Sequence, residues 1–193
     1  MITNLVMAAP EALPLLEEEQ ALVQQAQTDL SVFSQLYQRH VKRVYRYLLV
    51  RVGNEQDAQD LTSQTFLAAM EGLHTYRGQQ QFVAWLLGIA RHKVGDQYRR
   101  RRPDLLPETA ESLPDHNDGP DELIDRRLEI ERVAQKLSAI APERAEALSL
   151  RLFAGLEVAE IAQVMEKNEA AVRMLVFRGL RDLQAQLQVE AGA

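Results

Sequence analysis

Apolar residues recur every three or four positions along almost the whole chain, which is the spacing of amphipathic helices, and no segment alternates as a half-buried strand does. The pattern predicts an all-α protein. Its first half is predicted to form helices from about Glu17 to Gln27, 30 to 52, 55 to 73 and Phe82 to Arg102. Its second half is predicted to form helices near 121–137, Pro142 to Gly155, Val158 to Met165 and Glu169 to Gln188.

Residues at the predicted helix ends support these boundaries. Gly53 is expected to end the second helix in a left-handed conformation. Asn54 can cap the third helix, with Asp57 in the capping-box position. Pro103 stops the fourth helix, and Pro142 suits a first turn. The predicted inner faces contain Phe33, Leu36, Tyr37, Val41, Val44, Leu48 and Val52 in the second helix, Ala58, Leu61, Thr65, Ala69 and Leu73 in the third, and Phe82, Trp85, Leu86, Ile89 and Lys93 in the fourth.

Between Pro103 and Pro120 there are four prolines, five acidic residues and no Lys or Arg. Such a composition is typical of a flexible linker. The chain is therefore expected to form two small helical domains, residues 21–102 and 132–193, joined by a flexible acidic linker over residues 103–131. Residues 1–20 are predicted to be an amino-terminal extension.

The net charge of −6 hides a strong segregation of charge along the chain. Residues 30–102 contain twelve bases and five acids, whereas residues 103–131 contain ten acids and two bases. Partners respond to local fields, because salt screens charges beyond roughly 8–10 Å. The first domain is therefore basic enough to hold a polyanion such as nucleic acid.

Composition excludes several classes of protein. Without cysteine the chain forms no disulfide, thiolate zinc site or iron–sulfur cluster. The longest uncharged apolar run, residues 82–90, is too short to span a bilayer, and the first residues lack the basic start of a signal peptide. Phosphate loops, nucleophile elbows and clustered histidines are absent. We expect a cytoplasmic protein that is not an enzyme, holds no metal or cofactor, and does not insert into membranes.

The last 40 residues fit a helix-turn-helix motif. Ile161, Ala162 and Met165 would form the inner face of its first helix, against which Val172 and Leu175 of the second would pack. The motif's turn lacks glycine, so Asn168 is expected to tolerate its positive φ. The outward positions of the second helix are Asn168, Arg173, Met174, Arg178 and Arg181. An antiparallel helix pair with a solvated charged face is the alternative.

Two further clusters have possible binding chemistry. Aromatic residues Tyr76, Phe82 and Trp85 lie close in sequence to the cations Arg77, Arg91, His92, Lys93 and Arg99–Arg102. Flat rings with positive charge suit single-stranded or partly opened DNA, although the rings could be core and the arginine run a solvated helix end. The third helix presents Asp57, Asp60, Thr62, Gln64 and Thr65, which favour a partner-binding face over a metal site because no third ligand has a suitable spacing.

These segments resemble a known family. DAQDLTSQTFLAAMEGL and the F-x-x-W-L-x-x-I-A-R-x-K-x-x-D-x-x-R-R pattern from Phe82 to Arg100 are similar to the second conserved region of bacterial sigma-70-family factors. PERAEALSLRLFAGLEVAEIAQVMEKNEAAVRMLVFRGLRDL is similar to their fourth region. With only these two regions and a short linker, the chain resembles the extracytoplasmic-function (ECF) subgroup. The resemblance covers about Leu22 to Arg102 and Leu137 to Leu187.

The resemblance implies bacterial core RNA polymerase as partner, through its β′ clamp helices and β flap, and promoter DNA as ligand. It implies core-polymerase contacts at Asp57, Asp60, Leu61, Gln64, Thr65 and Phe66. It implies contacts to the −10 element, including a base flipped into loop 75–81, at Tyr76, Arg77, Gly78, Gln79, Arg91, His92, Lys93, Asp96, Arg99 and Arg100. For the −35 element it implies Asn168, Arg173, Met174, Phe177, Arg178 and Arg181. An anti-sigma factor is a further candidate partner.

The chain departs from the family pattern at three pairs of residues. Ser63-Gln64 replaces the common Gln-Glu, Ala170-Ala171 replaces Gly-Thr, and Met174-Leu175 replaces Ser-Arg. Two other functions stay open at this point. A free-standing helix-turn-helix regulator would bind duplex DNA without polymerase, and a helical adaptor would bind proteins alone.

Overall fold

A computed structural model describes residues 12–78, 81–101 and 132–191 of the chain. The helices are α1 (Ala12–Thr28), α2 (Phe33–Val52), α3 (Glu55–Gly72), α4 (Phe82–Arg101), α5 (132–138), α6 (Pro142–Leu152), α7 (Val158–Met165) and α8 (Glu169–Ala191), with 3-10 turns at Leu30–Val32 and Leu73–Thr75. No strand occurs among these residues, which confirms the all-α prediction. The predicted linker, the predicted start of the fifth helix near Asp121, and Gln79 lie outside the described residues.

Most predicted helix bounds agree with the structure, and α7 agrees at both ends. Helix α1 begins before Glu17, so the predicted boundary at residue 20 falls inside a continuous helix. Helix α6 ends at Leu152, earlier than predicted, and the chain turns through Gly155 at a φ of +65°. Helix α8 continues past Gln188 to Ala191.

The ends of α2 and α3 follow from local chemistry. Gly53 adopts the expected left-handed conformation, with φ of +77°, and its amide donates to the Leu49 carbonyl. The Asn54 side chain accepts the amide hydrogen of Asp57 at 2.8 Å, as predicted. The Asp57 carboxylate also accepts a hydrogen bond from the side-chain amide of Asn54.

Helices α2, α3 and α4 form the bundle of the first domain, with α1 packed across it. The predicted α3 face is buried in full, and Phe82 is core as its alternative interpretation held. On α2, Tyr37 is exposed despite its place in the predicted stripe, while Tyr47 and His40 are buried. Neither was predicted, although His40 lies four residues from both Leu36 and Val44, and Tyr47 lies three residues after Val44, so both follow the helical spacing of the buried face. His40 pairs with Glu19 of α1 at 2.5 Å and lies against the Phe82 ring.

Helices α6, α7 and α8 form the second domain. Ala162 and Val172 are buried between α7 and α8, as the helix-turn-helix interpretation predicted. The turn differs from prediction: Glu166 takes the left-handed conformation, with φ of +54°. Asn168 instead caps α8, because its side-chain oxygen accepts the Ala171 amide hydrogen at 2.8 Å.

The two domains contact each other through polar groups of α2 and the second domain. The buried Tyr47 hydroxyl donates to Glu146 of α6 at 2.6 Å, and Arg51 pairs with the other oxygen of that carboxylate at 3.1 Å. We call these three residues the Glu146 cluster. The Arg43 guanidinium donates to the carbonyls of Ala154 and, at 2.7 Å, Gly155. Buried apolar residues of both domains also pack together in one continuous core.

Candidate nucleic-acid and partner interfaces

Three of the six residues expected to contact polymerase are buried in the core. Leu61 and Phe66 are largely inaccessible, and Thr65 has no accessible surface. Phe66 packs edge-on against the rings of Phe33 and Tyr37. Leu61, Thr65 and Phe66 therefore pack in the core and hold α3 in place, with little or no surface available to a docked protein. Their contact with polymerase stays a prediction.

Thr62, expected on the polar surface of α3, is also buried. Its hydroxyl donates to the Ala58 carbonyl at 2.6 Å, and the Thr65 hydroxyl donates to that of Leu61 at the same distance. A threonine that bonds the carbonyl four residues earlier needs no water, so it can face a core. These hydrogen bonds explain why two of the polar residues predicted on the outer face of α3 are buried instead.

The outer face of α3 is a stripe of exposed residues at helical spacing: Asp60, Gln64, Leu67 and Glu71. We call these four residues the α3 stripe. Leu67 is 53% exposed, and Met70 beside the stripe is 37% exposed. Asp60 and Gln64 were predicted from the sequence, and Asp57 lies half-buried at the cap. Leu67 was missed, although its spacing of three and seven residues from Gln64 and Asp60 could have identified it.

The loop after α3 is built around Tyr76. Its ring lies 5.2 Å from the Trp85 ring and 5.6 Å from the Phe82 ring, so the three aromatic residues form one cluster. Burial, helped by the charge of Glu19, raises the pKa of Tyr76 to about 12. Arg77 and Gly78 are exposed, and Gly78 adopts a positive φ of 68° that favours glycine.

The predicted −10 residues of α4 differ in their exposure. His92, Arg99 and Arg100 are exposed, whereas Lys93 is half-buried. Asp96 pairs with Arg99 one turn later, which reduces the positive field there. Arg91 is half-buried, and its guanidinium lies 3.5 Å from the Val164 carbonyl of α7. The predicted −10 residues on α4 thus divide into an exposed end and a part covered by the second domain.

The six residues predicted to contact the −35 element lie at the cap of α8, Asn168, and on its outward face, and each is exposed. Met174 and Phe177 are 46% and 56% exposed, and they lie between the cations Arg173 and Arg178 on the helix surface. Arg173 pairs with Glu169 at 2.5 Å. The face therefore combines cations that can contact phosphates with apolar groups of the kind that contact thymine methyl groups in a major groove.

Within residues 12–78, 81–101 and 132–191, no three potential metal ligands lie close enough to hold an ion. In the same ranges no helix is both long and apolar enough to cross a membrane.

Comparisons with known families identify both halves of the chain. Residues 36–103 match the model for sigma-70 region 2, and residues 130–183 match that for sigma-70 region 4. The RNA polymerase sigma-H factor of Pseudomonas aeruginosa is 31% identical over 183 residues, covering 89% of this chain and 95% of that protein. ECF RNA polymerase sigma factor SigD of Mycobacterium tuberculosis is 32% identical over 157 residues, covering 77% of this chain and 73% of that protein. This chain belongs to the ECF RNA polymerase sigma factors.

A further relative is longer than this sigma factor. ECF RNA polymerase sigma factor BldN of Streptomyces coelicolor is 38% identical over 176 residues, which are 88% of this chain but only 66% of BldN. The chain thus spans slightly less than two thirds of that relative. Among solved structures, CnrH in complex with the cytosolic domain of CnrY is similar with a TM-score of 0.72 and 27% identity, covering 89% of this chain and 97% of CnrH.

The match to region 2 begins at residue 36, so α1 lies outside it. Helix α1 nevertheless packs on α2 and α4 and contacts the 3-10 turn that leads into the Tyr76 loop. The described fold of this sigma factor therefore extends beyond the two matched segments.

Proposed function

We propose that this sigma factor binds core RNA polymerase, recognises the −10 and −35 elements of its promoters and helps to open the DNA. The observation that carries the proposal is that each domain leaves one cationic helix face exposed. One is the face of α4 that contains His92 and the cations Arg99 and Arg100, and the other is the outward face of α8. Two weak DNA sites in one chain bind together through their effective concentration.

The α3 stripe is the proposed polymerase-binding surface. It offers an acid at Asp60, an amide at Gln64 and the exposed apolar side chain of Leu67, and an apolar centre with a polar rim is typical of protein interfaces. The β′ clamp helices would bind here, and the β flap would bind the second domain. We place the first domain from α1 to residue 102 and the second from residue 132.

The proposed role requires no catalysis by this chain. DNA opening by region 2 needs no bond to be broken by this chain, so it is not an enzyme and uses no cofactor. It acts in the cytoplasm, where the polymerase is. CnrH was solved with the cytosolic domain of CnrY, and the sigma factor RpoE of Bartonella quintana with the anti-sigma factor NepR. An anti-sigma factor is accordingly a proposed partner here.

The first experiment is co-elution with purified bacterial core RNA polymerase on a sizing column. Wild type is expected to co-elute, and Asp60→Arg and Leu67→Asp are each expected to weaken the association at least tenfold. Glu18→Arg, an exposed acid on α1 away from the α3 stripe, is the matched control for charge reversal and should bind normally. Binding that is equal in all four proteins would contradict the proposed surface.

The DNA half of the proposal is tested with Arg99→Ala combined with Arg100→Ala. This variant should bind core polymerase as wild type does but form fewer open complexes, because two cations next to the opened strand are lost. Permanganate reactivity of promoter thymines measures the opening. Unchanged reactivity would remove these two residues from the DNA site.

A free-standing helix-turn-helix regulator is the second candidate, and the fully exposed predicted face of α8 is what favours it. Such a protein would bind duplex DNA without polymerase and with a steep dependence on salt. A folded wild-type chain that binds duplex DNA but never co-elutes with polymerase would support it.

A further inference from the structure

A polar cavity lies between α1 and the loop that follows α3. It has a volume of about 370 Å3 and is lined by Gln20, Val23, Gln24, Gln27, Tyr76, Arg77 and Gly78. Four of these seven residues come from α1, which lies outside the match to region 2. The resemblance implied that loop 75–81 captures a flipped base, and it assigned no role to the wall that α1 contributes.

Gln27 joins α1 to the loop at its root. Its side-chain nitrogen donates one hydrogen bond to the Leu73 carbonyl at 3.0 Å and another to the Tyr76 carbonyl at 2.8 Å. An amide nitrogen has only two hydrogens, so both are used in holding the loop. Gln27 thus sets the position of Tyr76 relative to α1, and the width of the cavity depends on it.

Gln24 and Gln20 lie one and two turns before Gln27, respectively, on the same face of α1 as the buried Val23. Both are exposed, and neither forms a side-chain hydrogen bond with another residue in the described part of the chain. A primary amide has a donor and an acceptor side by side, which matches the hydrogen-bonding edge of a nucleobase. Tyr76 adds an aromatic ring and Arg77 a cation at the cavity mouth, which suit a base and its phosphate.

We propose that helix α1 forms one wall of the single-stranded DNA site. Gln20 and Gln24 contact the edge of an unstacked base in the cavity, and Gln27 is a positioning residue that fixes the loop opposite them. This inference deepens the proposed function and rests on it. It makes α1 a determinant of which base is accepted at one position of the −10 element.

The test uses holoenzyme assembled from the full chain and bacterial core RNA polymerase. The probe is a pool of promoter-length duplexes whose non-template strand has a randomised, pre-opened segment, and the bound molecules are sequenced. Wild type is expected to prefer one base at one position of that segment. Gln20→Ala combined with Gln24→Ala should reduce this preference at least fivefold and leave preferences at other positions unchanged.

Gln27→Met tests positioning, because methionine has nearly the size of glutamine and donates no hydrogen bond. It should flatten the same preference while the holoenzyme forms normally and the midpoint of thermal unfolding stays within a few degrees. A purely structural role would instead lower the midpoint and weaken binding at every position. Gln25→Ala is the matched control, since Gln25 is exposed on α1 and does not line the cavity.

The outcomes separate the two levels of the proposal. If wild type fails to form holoenzyme, the proposed function is wrong and this inference is wrong with it. If holoenzyme forms and the base preference is unaffected by the Gln20, Gln24 and Gln27 variants, the role of α1 is overturned and the sigma function stands. Loss of the preference in the Gln25→Ala control would also overturn it, because the effect would not be specific to the cavity.

Discussion

Glu160 is an acidic residue that the fold buries at the start of α7. It is only 8% exposed, and its side chain accepts the Glu157 amide hydrogen at 2.6 Å in a reciprocal capping box at the start of α7. Burial raises the pKa of Glu160 above its ordinary 4.5, against the opposing effects of that hydrogen bond and of Arg43. The folded state therefore favours the protonated carboxyl more than the unfolded state does.

The consequence is a pH-dependent stability. A folded pKa above the unfolded one gives a stabilising contribution that is full below the unfolded value and is lost as the pH rises through the folded one. Glu160→Gln keeps the accepting oxygen without the charge. We expect its free energy of unfolding at pH 7 to equal or exceed that of wild type, with a flatter dependence between pH 4.5 and 7. Urea denaturation at both pH values measures this, with Glu18→Gln as the exposed control. An equal loss at both pH values would contradict the prediction.

Tyr76 should titrate late because its hydroxyl is partly buried beside Glu19, with a pKa of about 12. The absorbance difference between wild type and Tyr76→Phe, followed through an alkaline titration at 295 nm, should rise near pH 12. If this absorbance difference rose near pH 10 instead, the Tyr76 hydroxyl would be exposed to solvent, which would contradict the prediction.

At the scale of elements, the packing of α8 on α6 depends on one glycine. A Cβ added to Gly179 would lie 2.9 Å from the Leu148 side chain and 3.2 Å from the Arg144 carbonyl oxygen. The carbonyl is backbone and cannot turn away. The two helices of the second domain therefore approach as closely as glycine allows, which orients the exposed face of α8.

Gly179→Ala should consequently destabilise the protein by about 1–3 kcal/mol, although alanine is the better helix former. Gly88→Ala is the matched control in α4, because a Cβ there meets nothing within 4 Å. It should stabilise by roughly 0.5–1 kcal/mol through helix propensity alone. Thermal or urea denaturation of both variants measures these changes in stability. If both substitutions stabilised the protein, α6 and α8 would be able to move apart, which would contradict the prediction.

At the scale of the whole molecule, the Glu146 cluster connects the domains. The Glu146 carboxylate receives the Tyr47 hydroxyl and the Arg51 guanidinium from α2, and Tyr47 has no accessible surface. Removing the carboxylate leaves a buried hydroxyl and a nearly buried cation without this partner. Breaking a buried pair in this way is more costly than losing a surface pair, because the remaining charge is desolvated.

Glu146→Ala should lower the free energy of unfolding by roughly 3–5 kcal/mol and let the domains separate. Denaturation measures the first effect, and the radius of gyration from solution scattering measures the second. Glu143→Ala is the control, because Glu143 lies on the same helix as Glu146 and forms an ion pair nearer the surface, with Lys167. It should cost less than about 1 kcal/mol and leave the radius of gyration unchanged. Equal losses from both variants would contradict the assigned role of the cluster.

The sequence by itself determined the helices, most of their ends and the exposed face of α8, because helical periodicity and capping are local in the chain. The motifs of regions 2 and 4 also identified the family without coordinates. Burial on α3 was decided by tertiary structure, since Thr65 satisfies its hydroxyl internally and packs inward while apolar Leu67 is left outside. The bond from Tyr47 to Glu146 spans 99 residues of sequence, and the bonds from Gln27 to the loop span 46 and 49. Pairings over such separations leave no periodic signal, and only the packed helices bring those groups together.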